Sequence, residues 1–169
     1  WSDADSRWND QLKEVLGINK TGDDGLFFMA WKDFLKYFSD VQICYYHDDY
    51  KYNAEKFESS KDTSVYLKVT IDEPGTYYFS VNQRNKRFYP EEMKYKYSRL
   101  GWVAGKKEMN QWKFIESSVR SDKENWKAVE CEEGEYMFLI NTPWRSQIRE
   151  FSFSVYGPKF AEMVSVSED

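Results

Sequence analysis

The strongest constraint on the fold is an alternation of apolar and polar residues that begins near residue 62. Residues 65–71, VYLKVTI, place an apolar side chain at every second position, and the turn sequence DEPG leads into TYYFSV at 76–81. Successive side chains of a β-strand point to opposite faces, so this period predicts strands with one buried face. Further strands are predicted at 94–104, at 126–131, within 132–141 and at 151–156. Short strands separated by turn residues, with no helical period between them, predict an antiparallel β-sandwich.

A short helical segment precedes the predicted sandwich. Apolar residues recur at the i, i+3, i+4 and i+7 spacing of one helix face at Trp31, Phe34, Leu35 and Phe38. An earlier helix face consists of Leu12, Val15 and Leu16, followed by the helix-stopping Gly17. The expected fold class is therefore mainly β: an antiparallel β-sandwich preceded by a short helical segment.

The change of period divides the chain into four parts. Residues 1–45 form the helical part, and the polar residues 46–63, which have no clean period, form a junction. Residues 64–160 form the sandwich, and residues 161–169 form a tail that is expected to fray.

Composition excludes several classes of protein. Aromatic residues make up 19% of the chain, which is far too many for a disordered segment. The 24 basic and 29 acidic residues give a net charge of −5, which argues against a nucleic-acid binder. The sequence has neither a run of 18 apolar residues nor the apolar region of a signal peptide. Two cysteines, Cys44 and Cys131, are few for a secreted scaffold, so a cytoplasmic protein with two buried free thiols is expected.

The residues offer little for catalysis. A thiol protease needs a cysteine beside a histidine that a third group orients, and His47 is the only histidine. Cys44 ends an apolar run and His47 begins an acidic loop, so the expected arrangement is a packed thiol and an exposed loop histidine. The same two residues could supply two zinc ligands, but the sequence holds no second pair. A hydrolase that uses two carboxylates stays open.

Two charged regions could bind ions or charged partners. Asp3, Asp5, Asp23 and Asp24 lie in loops that could gather oxygens around calcium, although their spacing is not that of an EF-hand. The alternative is that they are solvated turn residues. Between residues 84 and 107, eight basic residues stand against two acidic ones, a local charge of +6. The candidate anion-binding residues in this stretch are Arg84, Lys86, Arg87, Lys94, Lys96 and Arg99.

This basic stretch has two interpretations. It could hold an anionic surface, because each basic residue near an acidic membrane contributes about 1 kcal/mol. The alternative is that the alternation KYKY at 94–97 only places lysines on the wet face and tyrosines inward.

Two stretches of the helical part resemble a known family. WSDADSRW at 1–8 and DDGLFFMAWKDFLKYFSDVQIC at 23–44 are similar to the end of the protease core of the calpains, calcium-dependent cysteine endopeptidases. The stretches TYYFSVNQRNKRF, EEGEYMFLINTPW and EFSFSVYG more loosely resemble strands of the β-sandwich that follows this core.

The resemblance implies that this chain carries no catalytic residue. In the family, the nucleophilic cysteine, the histidine and the asparagine of an Asn-Pro-Trp motif all precede the position of Trp1. The resemblance also implies a degenerate calcium site made of Asp3, Gly22 and Asp24. Leu26 stands where the family has an acid, so little or no calcium binding is expected.

The expected function is therefore that of a non-catalytic regulatory or structural part of a calpain-like endopeptidase. Its partners would be the missing N-terminal protease core and, through the basic stretch, anionic phospholipid or an acidic protein segment. Trp1, Trp8 and Phe28 are expected to line the apolar face that meets the core. The alternatives are a catalytically dead calpain homologue acting as a scaffold and an independent lipid-binding module.

Overall fold

The computed structural model of the chain describes residues 1, 5–18, 27–58, 64–145 and 148–166. The chain divides into two compact units, Trp1–Tyr45 and Tyr46–Asp169. Within the described ranges, no helix is long and apolar enough to cross a membrane.

The described part of the first unit contains two short helices, α1 (Asp10–Val15) and α2 (Trp31–Tyr37), at the positions that the periodicity predicts. The Asn9 side chain caps α1 by accepting a hydrogen bond from the Leu12 backbone N–H at 2.9 Å. On α2, the Phe34 ring stacks on the rings of Trp31 and Phe38, with centroids 5.2 and 4.6 Å apart. Neither helix buries a single residue.

The second unit is an antiparallel sandwich of two sheets, which confirms the predicted fold class. One sheet has the strand order β1-β8-β3-β6 and the other has the order β5-β4-β7-β2-β9. The strands are β1 (Lys51–Glu58), β2 (Val65–Ile71), β3 (Gly75–Asn82), β4 (Leu100–Glu108), β5 (Gln111–Arg120), β6 (Glu124–Cys131), β7 (Gly134–Asn141), β8 (Glu150–Gly157) and β9 (Glu162–Val166).

Aromatic side chains between the two sheets fill the core. Phe138 on β7 lies 4.7 Å from Phe79 on β3 and 4.9 Å from Phe153 on β8, measured between ring centroids. Trp102 on β4 lies 5.7 Å from Phe138 and donates its indole N–H to the Asn125 carbonyl. All four rings are at most 1% exposed, so the alternating apolar residues of both sheets meet in one hydrophobic core.

Three predictions about the sandwich are wrong. The supposed junction contains β1, an edge strand that leaves six of its eight residues exposed and therefore shows no clean alternation. The supposed frayed tail contains β9, which pairs with β2 along Glu162–Val166. Residues 94–99 do not belong to a strand, since β4 begins at Leu100.

The cysteine prediction is half right. Both thiols are free, and Cys131 is buried in the core of the sandwich. Cys44 is exposed, so the prediction that it is packed is wrong.

Candidate functional site

The connection between β3 and β4, residues 83–99, carries the six candidate anion-binding residues and is hereafter called the basic connection. It is held at its base by Gln83, whose side chain is 5% exposed. The Gln83 amide Nε2 donates to the carbonyl oxygens of Ser98 (2.8 Å) and Asp122 (3.2 Å). Its Oε1 accepts from the Ser98 backbone N–H at 2.9 Å. The two ends of the connection are therefore tied to each other and to the turn before β6.

Tyrosines form the inner side of the basic connection. The rings of Tyr89 and Tyr95 stack at 4.2 Å, and Tyr97 meets Tyr95 edge-on at 5.9 Å. The Tyr97 hydroxyl accepts a hydrogen bond from the Lys86 backbone N–H at 3.1 Å. Burial raises the pKa of Tyr95 to about 12, so its hydroxyl stays protonated at neutral pH.

The lysines of this connection lie on its outer side. Lys94 and Lys96 are exposed, whereas Tyr95 and Tyr97 are half-buried. This is the alternation of exposure expected from KYKY, although a turn with Lys94 at φ 44° replaces the predicted strand. Lys86 and Arg87 are exposed on a one-turn 3-10 helix, Lys86–Phe88.

Arg84 faces a cavity of about 380 Å³. Its guanidinium lies over the rings of Phe88 and Tyr89, at 5.1 and 5.8 Å from their centroids. Lys56 and Glu150 line the same cavity and form an ion pair at 2.8 Å. The described lining of the cavity thus carries two cations against one carboxylate, and this excess positive charge suits an anionic group.

Sheet register explains why Lys56 lies beside this cavity. Ser152 on β8 pairs with Lys56 on β1 and also with Asn82 on β3, so the three residues form one row across the sheet. Paired residues of neighbouring strands project from the same face, and all three line the cavity. The sequence alone does not indicate Lys56 as a site residue, because it lies in a segment whose polar residues predict a junction.

Arg99 lies elsewhere. It lines a separate groove of about 350 Å³ on the five-stranded sheet, and the described linings of this groove and of the Arg84 cavity have no residue in common. The six candidate residues therefore do not all face one concave site: Arg84 and Arg99 face different ones.

In the sandwich, the Cys131 thiol is buried and the His47 imidazole stacks on a tyrosine ring. The Cys131 thiol is 3% exposed, and burial raises its pKa to about 11, so it is poor in the nucleophilic thiolate form. The His47 ring stacks on Tyr50 with centroids 4.1 Å apart. Its backbone N–H donates to the Tyr156 hydroxyl at 2.7 Å, and that hydroxyl donates to the His47 carbonyl at 3.2 Å.

This difference in burial predicts a difference in thiol reactivity. In the native protein, Cys44 will react with Ellman's reagent and Cys131 will not, because one is exposed and the other is a buried neutral thiol. Absorbance at neutral pH should report one thiol per chain, and addition of urea should release the second. The variant Cys44→Ser should show none before unfolding. Two thiols reacting at the native rate would contradict the burial of Cys131.

The predicted calcium ligands Asp3, Gly22 and Asp24 lie outside the described residues. Asp5, a further candidate, is described, and both of its carboxylate oxygens accept hydrogen bonds from the Arg7 guanidinium, at 2.8 and 2.6 Å. These bonds hold the pKa of Asp5 far below its usual value. In the described part of the chain, no three carboxylate, histidine or cysteine side chains are grouped so as to hold a metal ion.

The aromatic residues expected to line an apolar face pack on one another. Trp8 meets Trp1 and Phe28 edge-on, with centroids 5.3 and 5.1 Å apart, and all three are half-buried. Two apolar side chains of α2 are more exposed than these three rings: Trp31 is 65% and Leu35 is 61% exposed.

Fold and site together describe a β-sandwich with a basic connection, accompanied by a small helical unit. Residues 1–45 match the family model described as calpain family cysteine protease. The chain is also 34% identical, over 44 residues, to the calpain-type cysteine protease DEK1 of Arabidopsis thaliana. That alignment covers 26% of this chain and 2% of the relative, so the chain spans a very small part of the relative's length. The helical unit is thus calpain-like, and the matched residues have the same bounds as the first compact unit.

Proposed function

We propose that this chain is a non-catalytic part of a cytoplasmic calpain-like cysteine endopeptidase. In this proposal the helical unit completes a protease core supplied by the rest of the parent protein. The sandwich is a regulatory or structural domain that positions the core and contacts an anionic partner, either phospholipid or an acidic protein segment.

The observation that carries the proposal is the exposure of the helical unit. Its helices span six and seven residues, whereas isolated helices shorter than about 12–15 residues are marginal in water. Such helices depend on tertiary packing, yet neither α1 nor α2 buries a residue. Four large side chains of α2 and its C-terminal end are between 47% and 68% exposed: Trp31, Leu35, Tyr37 and Phe38. A calpain-like segment with this much exposed apolar surface fits one that packs against further protein.

Hydrogen exchange on the chain alone and on the chain co-expressed with the rest of the protease core tests this role. We expect the backbone amides of α2 to gain protection in the complex, because its apolar residues become buried. Amides of the core strand β2 serve as the internal control and should exchange equally slowly in both samples. A purified complex in which α2 exchanges as fast as in the isolated chain would contradict the proposal.

Charge reversal tests the anionic partner. The triple variant Arg84→Glu, Lys86→Glu, Arg87→Glu should bind phosphatidylserine-containing vesicles at least roughly 100-fold more weakly, because three contributions of about 1 kcal/mol are lost. The matched control reverses three exposed basic residues outside the basic connection: Arg120, Lys123 and Lys159.

Sedimentation with vesicles at several salt concentrations measures both triple variants. The control should retain binding, and the binding of the unmodified chain should weaken as salt screens the charges. Deca-glutamate serves as the acidic-segment probe in the same assay, as a competitor. Equal loss of vesicle binding in both triple variants would contradict the anionic-partner role. So would an unmodified chain that binds neither the vesicles nor deca-glutamate. Hydrogen exchange tests the role of the helical unit separately.

A further inference from the structure

An apolar groove of about 350 Å³ crosses the outer face of the five-stranded sheet, where β4 lies between β5 and β7. Gly101 and Val103 of β4 line it together with Val119 of β5 and Leu139 of β7. Register explains this grouping, since Gly101 pairs with Val119 and Val103 pairs with Leu139. Paired residues lie on the same face, so these side chains form one continuous apolar surface.

Gly101 lines the groove with backbone alone. A Cβ atom at this position would lie 3.2 Å from the Asn141 carbonyl oxygen and 3.6 Å from a methyl group of Val119. The methyl-bearing residues around it remain open to solvent, with Val103 43% and Val119 51% exposed. The groove therefore has apolar walls that are in contact with water.

Among the described residues that line the groove, one is charged, Arg99. It is exposed, and no carboxylate among the described residues lies within ion-pair distance of its guanidinium. An arginine fork presents paired N–H donors that match the two oxygens of a carboxylate. The Ser117 hydroxyl adds a hydrogen-bonding group to the lining, as does the Asn141 carboxamide, whose NH2 group also donates to the Ser64 hydroxyl at 3.1 Å.

We propose that this groove binds a short extended peptide segment of a partner protein in which an apolar side chain is followed by a carboxylate. The apolar side chain packs between Val103, Val119 and Leu139, and the carboxylate pairs with Arg99. The Ser117 hydroxyl and the Asn141 carboxamide can hydrogen-bond to the N–H and C=O groups of a peptide backbone. An alkyl chain has no such groups, so the lining favours a peptide over an acyl chain. The volume is at the low end of the range of about 300–1,000 Å³ for small-ligand pockets, which suits a short segment.

This binding uses one residue of the basic connection, Arg99, but none of Arg84, Lys86 and Arg87, which the charge-reversal test replaces. Among the described residues, the groove and the Arg84 cavity share no lining residue, and the groove belongs to the sandwich. Its test therefore does not depend on vesicle binding or on the protease core.

The test uses two peptides that differ in one group. They are acetyl-Ser-Phe-Leu-Glu-Ser-amide and its twin with Gln in place of Glu, titrated into the isotope-labelled complete chain and followed by amide chemical shifts. We expect shifts at Val103, Val119 and Leu139, with the Gln peptide binding roughly tenfold more weakly because it cannot form the charged pair.

Three variants assign the contacts. Arg99→Gln should bind the two peptides equally. Arg120→Gln is the matched control, because Arg120 pairs with Leu100, whose side chain faces the core, so its own side chain starts on the opposite face of the sheet. It should keep the preference for Glu. Val103→Glu, a change at a solvent-exposed position, should lower the affinity for both peptides.

Several outcomes would overturn the proposal. These are an absence of shifts in the groove at millimolar peptide, equal affinity of both peptides for the unmodified chain, and retention of the Glu preference in Arg99→Gln. Tighter binding of dodecanoate than of the Glu peptide, with the same groove residues shifted, would assign the groove to an acyl chain and overturn it as well.

Discussion

Replacement of Phe138 by alanine should lower the free energy of unfolding of the sandwich by about 3–5 kcal/mol, the usual cost of removing a buried phenyl ring. Phe138 is 1% exposed and touches rings from both sheets: Phe79 and Phe153 of the four-stranded sheet and Trp102 of its own. Residues from β3, β4 and β8 would all face the resulting cavity, so collapse of one strand could not fill it. Near-UV circular dichroism during urea unfolding measures the change.

Phe114→Ala is the matched control for this core substitution. Phe114 lies on the edge strand β5 and is 64% exposed, so its removal should change the free energy of unfolding by no more than about 0.5 kcal/mol. Both variants should keep the slope of unfolding free energy against urea, because neither changes the fold. Similar losses in the two variants would show that the rings between the sheets do not carry the stability of this domain.

The strands that sequence alone could locate are those that cross the middle of the core. In β2, β3 and β7 every second residue is buried between the sheets, and this burial produces the period of two in the sequence. Three edge strands, β1, β5 and β9, each leave most of their residues exposed, so their sequences carry little alternation. The fourth edge strand, β6, leaves only three of its eight residues exposed and is located by the sequence. A prediction that relies on alternation therefore finds the better-buried strands and loses the exposed edges.

The candidate site shows the same division between local and long-range information. The charge of the basic connection can be read from the sequence, because its residues are close together along the chain. The ion pair between Lys56 and Glu150 at the Arg84 cavity cannot be read from the sequence, since it depends on β1 lying beside β8. The separation of Arg99 from Arg84 also follows from topology: the connection crosses from one sheet to the other, and each end meets different strands.

In the helical unit, the sequence predicts the positions of the helices but not the exposure of their apolar faces. Helical spacing is local, so α1 and α2 lie where the apolar residues predict them. The same apolar residues would ordinarily indicate a buried face, yet Trp31 and Leu35 are largely exposed. Sequence periodicity indicates which face of a helix needs a partner, but it does not indicate whether the partner is in the same chain.

Gln83 is the residue on which the shape of the basic connection depends most directly. Replacement by leucine, which is similar in size, should lower the free energy of unfolding by about 2–4 kcal/mol, because buried polar groups lose their hydrogen-bond partner. The groups affected are the Ser98 N–H and C=O, the Asp122 carbonyl and the Tyr95 hydroxyl. Nothing in the sequence around Gln83 predicts this role, since a glutamine after a strand is ordinarily a solvated residue.

The same substitution should expose the basic connection to trypsin, because its two ends are no longer tied together. We expect cleavage after Arg84, Arg87 or Lys94 to be at least several-fold faster in Gln83→Leu than in the unmodified chain, as measured by mass spectrometry under native conditions. Gln111→Leu is the control, since Gln111 is an exposed residue at the start of β5 and should leave both stability and cleavage unchanged. If Gln83→Leu unfolded at the same urea concentration as Gln111→Leu and resisted trypsin equally well, the connection would have to be held by its other contacts, the tyrosine rings and the Lys86–Tyr97 hydrogen bond.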